Sequence, residues 1–232
     1  VMLRGIVERY IGGGFMLVTK IDKGFNFVTS GFLCSANGHV MTCAHSIDLQ
    51  TPLFIARPDI DLEFQPTDSS GRSYSLAPLT VVQYDPINDV ALLKADGIEV
   101  TVPQNHLELF GDERQVPIGS SVGYIGYPFG SRGLLTGKVS SAIVSAKVLS
   151  NKNTRTLQID SSVNDGNSGG PLIDVSSGRI IGIISGRYSP AGNQGIAWAA
   201  GVPLGQESNV SFAVGISYGL ELMKAEGIYE SI

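Results

Sequence analysis

The sequence predicts an all-β fold, a barrel or a sandwich, with a short helix at each end. Three observations carry that expectation. Short runs rich in Val, Ile, Phe and Leu recur between turn signals, at 24–35, 39–42, 89–94, 121–125 and 179–185, which is the pattern of short strands with one or both faces buried. The chain holds 29 glycines and 11 prolines, the punctuation that many tight turns require. Hydrophobic residues make up 43% of its 232 positions and charged residues 16%, enough for a sizeable core and the wrong mixture for a disordered or coiled-coil chain.

In chain order, the first helix is expected over Leu3 to Tyr10. Ser35-Ala36-Asn37-Gly38 then places Asn-Gly between two apolar runs, a strong hairpin signal that joins Phe32–Ser35 to His39–Cys43. Across it Cys34 is expected to face about Met41, with Cys43 too far along the diagonal for a disulfide. Both thiols are therefore expected to be reduced and packed. Residues 102–117, with Pro103, Pro117 and scattered charges, suit a crossover between two β units, which sets domains at 1–108 and 109–232. The last helix is expected to be capped by Ser217, to carry Leu220, Leu222 and Met223, and to stop at Gly227.

Composition also excludes partners. A net charge of −5 disfavours phosphate backbones and anionic lipid surfaces, so no nucleic acid is expected. No apolar run approaches the roughly 18 residues that span a bilayer. Val1 to Gly5 shows neither a secretory signal nor an initiator Met, so the chain reads as trimmed. Two cysteines and three histidines give no zinc-ligand spacing, and neither metal nor cofactor is expected.

The most specific string is Gly166-Asn167-Ser168-Gly169-Gly170-Pro171-Leu172. A serine is a weak nucleophile until a base takes its proton, and flanking glycines let the backbone approach a carbonyl without a Cβ in the way. Backbone amides of Gly166 and Ser168 would then form an oxyanion hole, with Asn167 between them. The α/β-hydrolase elbow also fits this string, but it needs a histidine after the serine. His39, His45 and His106 all precede Ser168. His45, at the end of an apolar strand, is the candidate base; His39 beside the hairpin turn is expected to be solvated, and His106 lies in the crossover. Asp89, leading directly into a core strand, is the carboxylate expected to orient His45. Asp48, Asp85 and Asp96 read as turn residues.

Thr42-Cys43-Ala44-His45, Asp89-Val90-Ala91-Leu92-Leu93 and the 166–172 string, spaced by 44 and 79 residues, resemble the three motifs of the chymotrypsin-like serine proteases, and within them the HtrA (Deg) type. Residues 123–130, 157–160 and 180–183 extend the likeness over about 30–217. The resemblance implies two six-stranded antiparallel β-barrels with the site between them. It implies a serine endopeptidase acting on extended or unfolded polypeptides, with His45, Asp89 and Ser168 as triad and HtrA-like protein quality control as the setting. A catalytically resting, chaperone-like peptide binder is the alternative, and an esterase a second one.

By the same resemblance, Ser162, Val163, Asn164 and Asp165 fall where the family shapes its specificity pocket. Ser162 is uncharged, which argues for small or aliphatic residues before the scissile bond. Asn167 replaces the Asp that pairs with a new N-terminal amine in the digestive branch, so activation by N-terminal insertion is not expected. Ser211, Phe212 and Ala213 match a strand expected to pair with substrate, and Gly186 to Asn209 an enlarged loop that would gate the site. Asp165, beside the oxyanion turn, would disfavour acidic substrates. HtrA proteins usually continue into a PDZ domain and assemble as trimers outside the cytoplasm or in organelles. No PDZ sequence is present up to Ile232, so the expectation is a protease-domain fragment or a relative that works without one.

Overall fold

The strands close into two barrels because their apolar residues face two different cores. The computed structural model describes residues 3–58, 74–97, 109–128, 130, 135–187, 197–199, 202–204 and 209–229. The first barrel contains β1 (Gly14–Ile21), β2 (Gly24–Leu33), β3 (His39–Thr42), β4 (Leu53–Pro58), β5 (Tyr74–Asp85) and β6 (Val90–Ala95). Its strands close in the order β1-β2-β3-β6-β5-β4. The second contains β7 (Ser121–Gly126), β8 (Lys138–Leu149), β9 (Arg155–Asp160), β10 (Pro171–Asp174), β11 (Arg179–Arg187) and a last strand. After the small hairpin of β12 (Ala197–Ala199) and β13 (Val202–Leu204), that last strand is β14 (Val210–Gly215), and the order is β10-β11-β14-β9-β8-β7. Every neighbour within the barrels is antiparallel. The fold is therefore all-β with two six-stranded barrels.

Alternation along single strands explains the split core. In β6, Ala91 and Leu93 fill the first barrel while Val90 and Leu92 face the seam between barrels. Both faces are buried, which is why the strand reads as an unbroken apolar run. The second barrel is filled by Val122, Tyr124, Leu157, Ile159, Leu172 and Ile184. The seam collects Phe32, Met41, Ile125, Ile173 and Ile183, and both helices plug it: α1 (Leu3–Tyr10) through Ile6, and α2 (Ile216–Ala225) through Ile216 and Met223. Each such side chain contributes about 1.5–3 kcal/mol of apolar burial. Among the described residues no helix is long and apolar enough to cross a membrane.

Four local expectations need correction or completion. The Asn37-Gly38 hairpin forms, with Gly38 at φ 82, but its register pairs Phe32 with Met41, so Cys34 lies opposite His39 and takes a bond from its own N–H to the His39 carbonyl at 2.8 Å. A tight turn confined to 35–38 leaves no slack for the wider register. Both cysteines are free thiols. His39 is buried rather than solvated, 8% exposed, with Nδ1 2.7 Å from Ser35 Oγ; burial holds it below the usual imidazole range. Ser217 does not cap α2, whose N-cap is Gly215. Ser217 lies inside the first turn, and its N–H and hydroxyl both donate to the buried carboxylate of Glu113, at 3.3 and 2.6 Å. That carboxylate, also paired with Arg155 Nε at 3.0 Å, serves the helix N-terminus from another part of the chain. At the other end α2 stops as expected, with Gly227 at φ 69. Residues 101–108, with His106 and the 108 boundary, lie outside the described residues.

Candidate active site

The two barrels bring three widely separated segments to one end of the seam. His45 follows β3 in a single 3-10 turn, Ala44–Ser46. Asp89 closes the 86–89 turn before β6 with φ 60, a left-handed conformation that costs a non-glycine residue about 1–2 kcal/mol. Hydrogen bonds hold it there. Its Oδ1 accepts the His45 backbone N–H at 2.8 Å and its two oxygens lie 3.0 and 2.9 Å from His45 Nδ1. Its Oδ2 also accepts the Ser185 hydroxyl at 2.5 Å. The turn itself is built by Asp85, which accepts the N–H groups of Ile87 and Asn88, and Asp48 likewise accepts from Gln50 and Thr51.

This geometry sets the charges. Burial works to raise Asp89, yet the bonds from His45 and Ser185 outweigh it and leave its carboxyl below the ordinary range. The imidazole of His45 is pushed up to about 10, first by its bond to Asp89, then by the Cys43 thiol, against an opposing effect of burial. With Nδ1 committed to Asp89, Nε2 is the nitrogen left for proton transfer.

Ser168 sits in the turn between β9 and β10, where Gly166 at φ 99 and Gly169 at φ 84 adopt conformations that favour glycine. Its hydroxyl donates to the Ser185 carbonyl at 3.0 Å, while His45 Nε2 lies 3.9 Å from Cys43 Sγ. No hydrogen bond joins Ser168 to His45 in this conformation among the described residues; they meet through Ser185, whose hydroxyl holds Asp89 and whose carbonyl holds Ser168. A rotation about the Ser168 Cα–Cβ bond changes the acceptor. Sequence reasoning missed Ser185, since a serine inside β11, at the end of its apolar run, carries no distinctive signal.

The remaining candidates divide. The Gly166 and Ser168 amides have no acceptor within the chain among the described residues, but Asn167 N–H is taken by the Asn164 carbonyl at 3.1 Å. Asn167 therefore spaces the two free amides and offers no third. Its side chain is buried against Gly126, where an added Cβ would meet Asn167 Oδ1 at 2.6 Å. Ser162 is half-buried with Oγ 3.5 Å from Asn209 Oδ1, and Asp165 is exposed. Val163 and Ala213 point into the second barrel's core. Ser211 ties the pocket segment to β14, accepting Val163 N–H at 3.1 Å and donating to the Ser161 carbonyl at 2.6 Å.

The expected substrate edge is corrected. Ser211–Ala213 of β14 is paired on one side with β11 and on the other with β9, so its backbone is already in use. Among the described residues the open edge belongs to β11 beyond Ile184: β10 pairing ends at Pro171, and Ile184 still gives its N–H to the Gly170 carbonyl and accepts the Gly169 N–H. A cavity of about 390 Å³ lies beside it, lined by Asp89, Ser185, Phe212 and Val214 with exposed Ile87 and Leu149 at its rim. Of the 186–209 loop, the described part is the end of β11, the β12–β13 hairpin and Asn209; the rest lies outside the described residues.

The family model described as "Trypsin-like peptidase domain" matches residues 29–183, which hold His45, Asp89 and Ser168. The chain belongs to this family. Within it the chain is similar to proteins of HtrA/Deg type. It is 34% identical over 179 residues to the Brucella suis protein named "Probable periplasmic serine endoprotease DegP-like", covering 73% of this chain and 30% of that one. It is also 34% identical over 168 residues to "Protease Do-like 1, chloroplastic" of Arabidopsis thaliana, covering 70% and 34%. The chain thus spans about a third of the length of these curated relatives. The solved structure "HtrA-type protease AlgW with decapeptide" superposes with TM-score 0.70 at 21% identity over 97% of this chain and 67% of that one. At that identity the likeness concerns the fold.

Proposed function

We propose that the trypsin-like domain is a serine endopeptidase in which His45, Asp89 and Ser168 act together on extended or unfolded polypeptides. The observation that carries this reading is the bonded path from His45 Nδ1 through Asp89 and Ser185 to Ser168, which crosses from one barrel to the other. Ser168 Oγ attacks the scissile carbonyl as its proton passes to His45 Nε2. The resulting oxyanion accepts hydrogen bonds from the Gly166 and Ser168 amides. His45 then gives the proton to the leaving amine, and water activated by the same imidazole releases the acyl group from Ser168.

The open edge of β11 supports pairing with an extended peptide, and the cavity beside Asp89, where Phe212 and Val214 stand among Asn88, Lys152 and Ser185, supports room for one of its side chains. Uncharged Ser162 supports small or aliphatic residues before that bond. The relatives' names support an extracytoplasmic or organellar setting, and the HtrA likeness of the motifs implies protein quality control and a trimer.

Labelling by a fluorophosphonate probe, with casein turnover in parallel, tests the assignment. Labelling of the unmodified chain that is lost in Ser168→Ala and His45→Ala, with casein cleaved, is the expected result. One observation favours a second reading: the Ser168 hydroxyl faces the Ser185 carbonyl and not His45. A folded chain that takes no label and still binds unfolded peptide would establish the chaperone-like alternative.

A further inference from the structure

Two hydroxyls buried in an apolar strand demand partners, and in β2 both donate across to carbonyls of the other barrel's 166–168 turn, while Thr29 Oγ1 also lies 3.7 Å from Cys43 Sγ in its own barrel. Thr29 and Ser30 are each 1% exposed. Thr29 Oγ1 donates to the Ser168 carbonyl at 2.7 Å, and the Ser30 backbone N–H donates to the same oxygen at 3.0 Å. Ser30 Oγ accepts the Tyr127 N–H at 2.9 Å and donates to the Gly166 carbonyl at 2.5 Å. A serine hydroxyl has one proton. Because Tyr127 donates to the oxygen, that proton is directed at Gly166. The Ser30 carbonyl in turn accepts from Thr42 Oγ1 at 2.7 Å, on the strand that leads to His45.

The consequence concerns the segment 166–168. Its first and last carbonyls are anchored to the first barrel on one side, while the Gly166 and Ser168 amides, with no acceptor in the chain among the described residues, are left for the cleft. We infer that Thr29 and Ser30 are positioning residues for the oxyanion amides: a cross-barrel clamp that fixes which edge of the nucleophile turn meets the substrate. The clamp also accounts for Gly169, where any Cβ would be driven into the Ser30 carbonyl and Thr42 Oγ1. The anchored carbonyls belong to the peptide units 166–167 and 168–169, so the clamp fixes the neighbouring amides of Gly166 and Ser168 through their shared Cα atoms and transfers no proton itself.

The inference rests on the protease reading, and its test separates the two. Ser30→Ala, Ser30→Thr and Thr29→Val are compared with the unmodified chain for kcat and KM on a peptide anilide. Inhibition by a peptide boronate, whose tetrahedral oxygen occupies the oxyanion position, and thermal unfolding are measured alongside. Removing an oxyanion donor outright lowers rates by about 10²–10³; Ser30→Ala frees the Gly166 carbonyl while Thr29 Oγ1 and the backbone N–H of residue 30 still hold that of Ser168, so loosening the Gly166 amide through its anchor is expected to lower kcat about tenfold. KM should stay nearly constant, boronate affinity should fall in step with kcat, and Ser30→Thr should recover most of both. Thr29→Val is expected to shift the same pair of quantities more weakly, and it carries the test if Ser30→Ala does not fold. Folded variants with unchanged kcat and boronate affinity, or with loss confined to KM, overturn the clamp. An unmodified chain that neither turns over substrate nor takes a fluorophosphonate label overturns the protease reading instead, and the clamp with it.

Discussion

Raising the pH is expected to increase activity and to weaken the fold across the same interval. The perturbation acts on His45, whose imidazole is pushed up to about 10 by Asp89 first and Cys43 second. At pH 7 a group titrating at about 10 is neutral in roughly one molecule per thousand. Its side chain is 52% exposed, and water screens such a pairing. The midpoint therefore belongs above the ordinary 6.5 and no higher than about 10. Only the neutral imidazole can accept the Ser168 proton, so kcat/KM rises with pH through that midpoint.

Stability moves the other way. The folded value of His45 exceeds its unfolded one, so its contribution is complete below 6.5 and is lost as pH rises toward about 10. Asp89 is depressed, so its contribution is present above 3.8 and disappears as pH falls through the lower folded value. The pair thus supports the fold most strongly between 3.8 and 6.5. The assay is kcat/KM on a peptide anilide together with thermal midpoints over a common pH series. In Asp89→Asn the activity limb should return toward 6.5 and the alkaline loss of stability should fade, while neutral-pH turnover drops by orders of magnitude. A limb at or below 6.5 in the unmodified chain would refute the reasoning.

The other consequences are structural. Gly169→Ala places a Cβ against fixed backbone at φ 84 and should cost at least ~3 kcal/mol in urea unfolding; an unchanged midpoint would mean the turn can move away from Ser30. Ser185→Ala removes one bond to Asp89 and leaves the Ser185 carbonyl in place, so kcat should fall about tenfold with KM nearly constant, whereas a change in KM alone would make Ser185 a substrate-binding residue. Glu113→Ala leaves Arg155 and both donors of Ser217 without their shared carboxylate. Arg155 is 42% exposed and can turn to water, so the loss should be about 2–3 kcal/mol, below the range for a fully buried pair. A thermal midpoint unaffected by that change would show that α2 does not depend on its borrowed cap.

What the sequence reveals follows from how local the cause is. Asn37-Gly38 announces its turn because left-handed backbone is a property of the residue itself, and Gly38 takes φ 82. The register of that hairpin was less legible, since moving Cys34 from Met41 to His39 depends on bonds within 35–38 that composition does not encode. The nucleophile turn was legible from its glycines, and Asp89 from its place before a core strand. Its left-handed φ of 60 was not, because that strain is stabilised by His45 and Ser185, one on an earlier segment and one in the other barrel. β14 was read as a free edge when both its edges are paired, since strand order is set by closure of the barrel and not by the strand's own residues. Thr29 and Ser30 did carry a signal. Adjacent hydroxyls between Val28 and Gly31 inside an apolar run must find buried partners, although which partners depends on the second barrel.

The division of labour between the barrels explains why so little of the site lies within one motif. The first barrel supplies His45, Asp89 and the anchoring hydroxyls of Thr29 and Ser30, and the second supplies Ser168, its amides and Ser185. Every bond that joins these sets crosses the seam. A shift of one barrel against the other by an ångström would lengthen the Ser30–Gly166, Thr29–Ser168 and Asp89–Ser185 contacts together, and hydrogen bonds weaken steeply over such a distance. The seam is filled by apolar side chains from both barrels and both helices. Tyr10 adds a direct tie, its hydroxyl donating to the Gly178 carbonyl of the second barrel at 2.6 Å. The packing that holds the barrels in register therefore also holds Ser168, His45 and the Gly166 and Ser168 amides in register, which is the rigidity that the proposed chemistry requires.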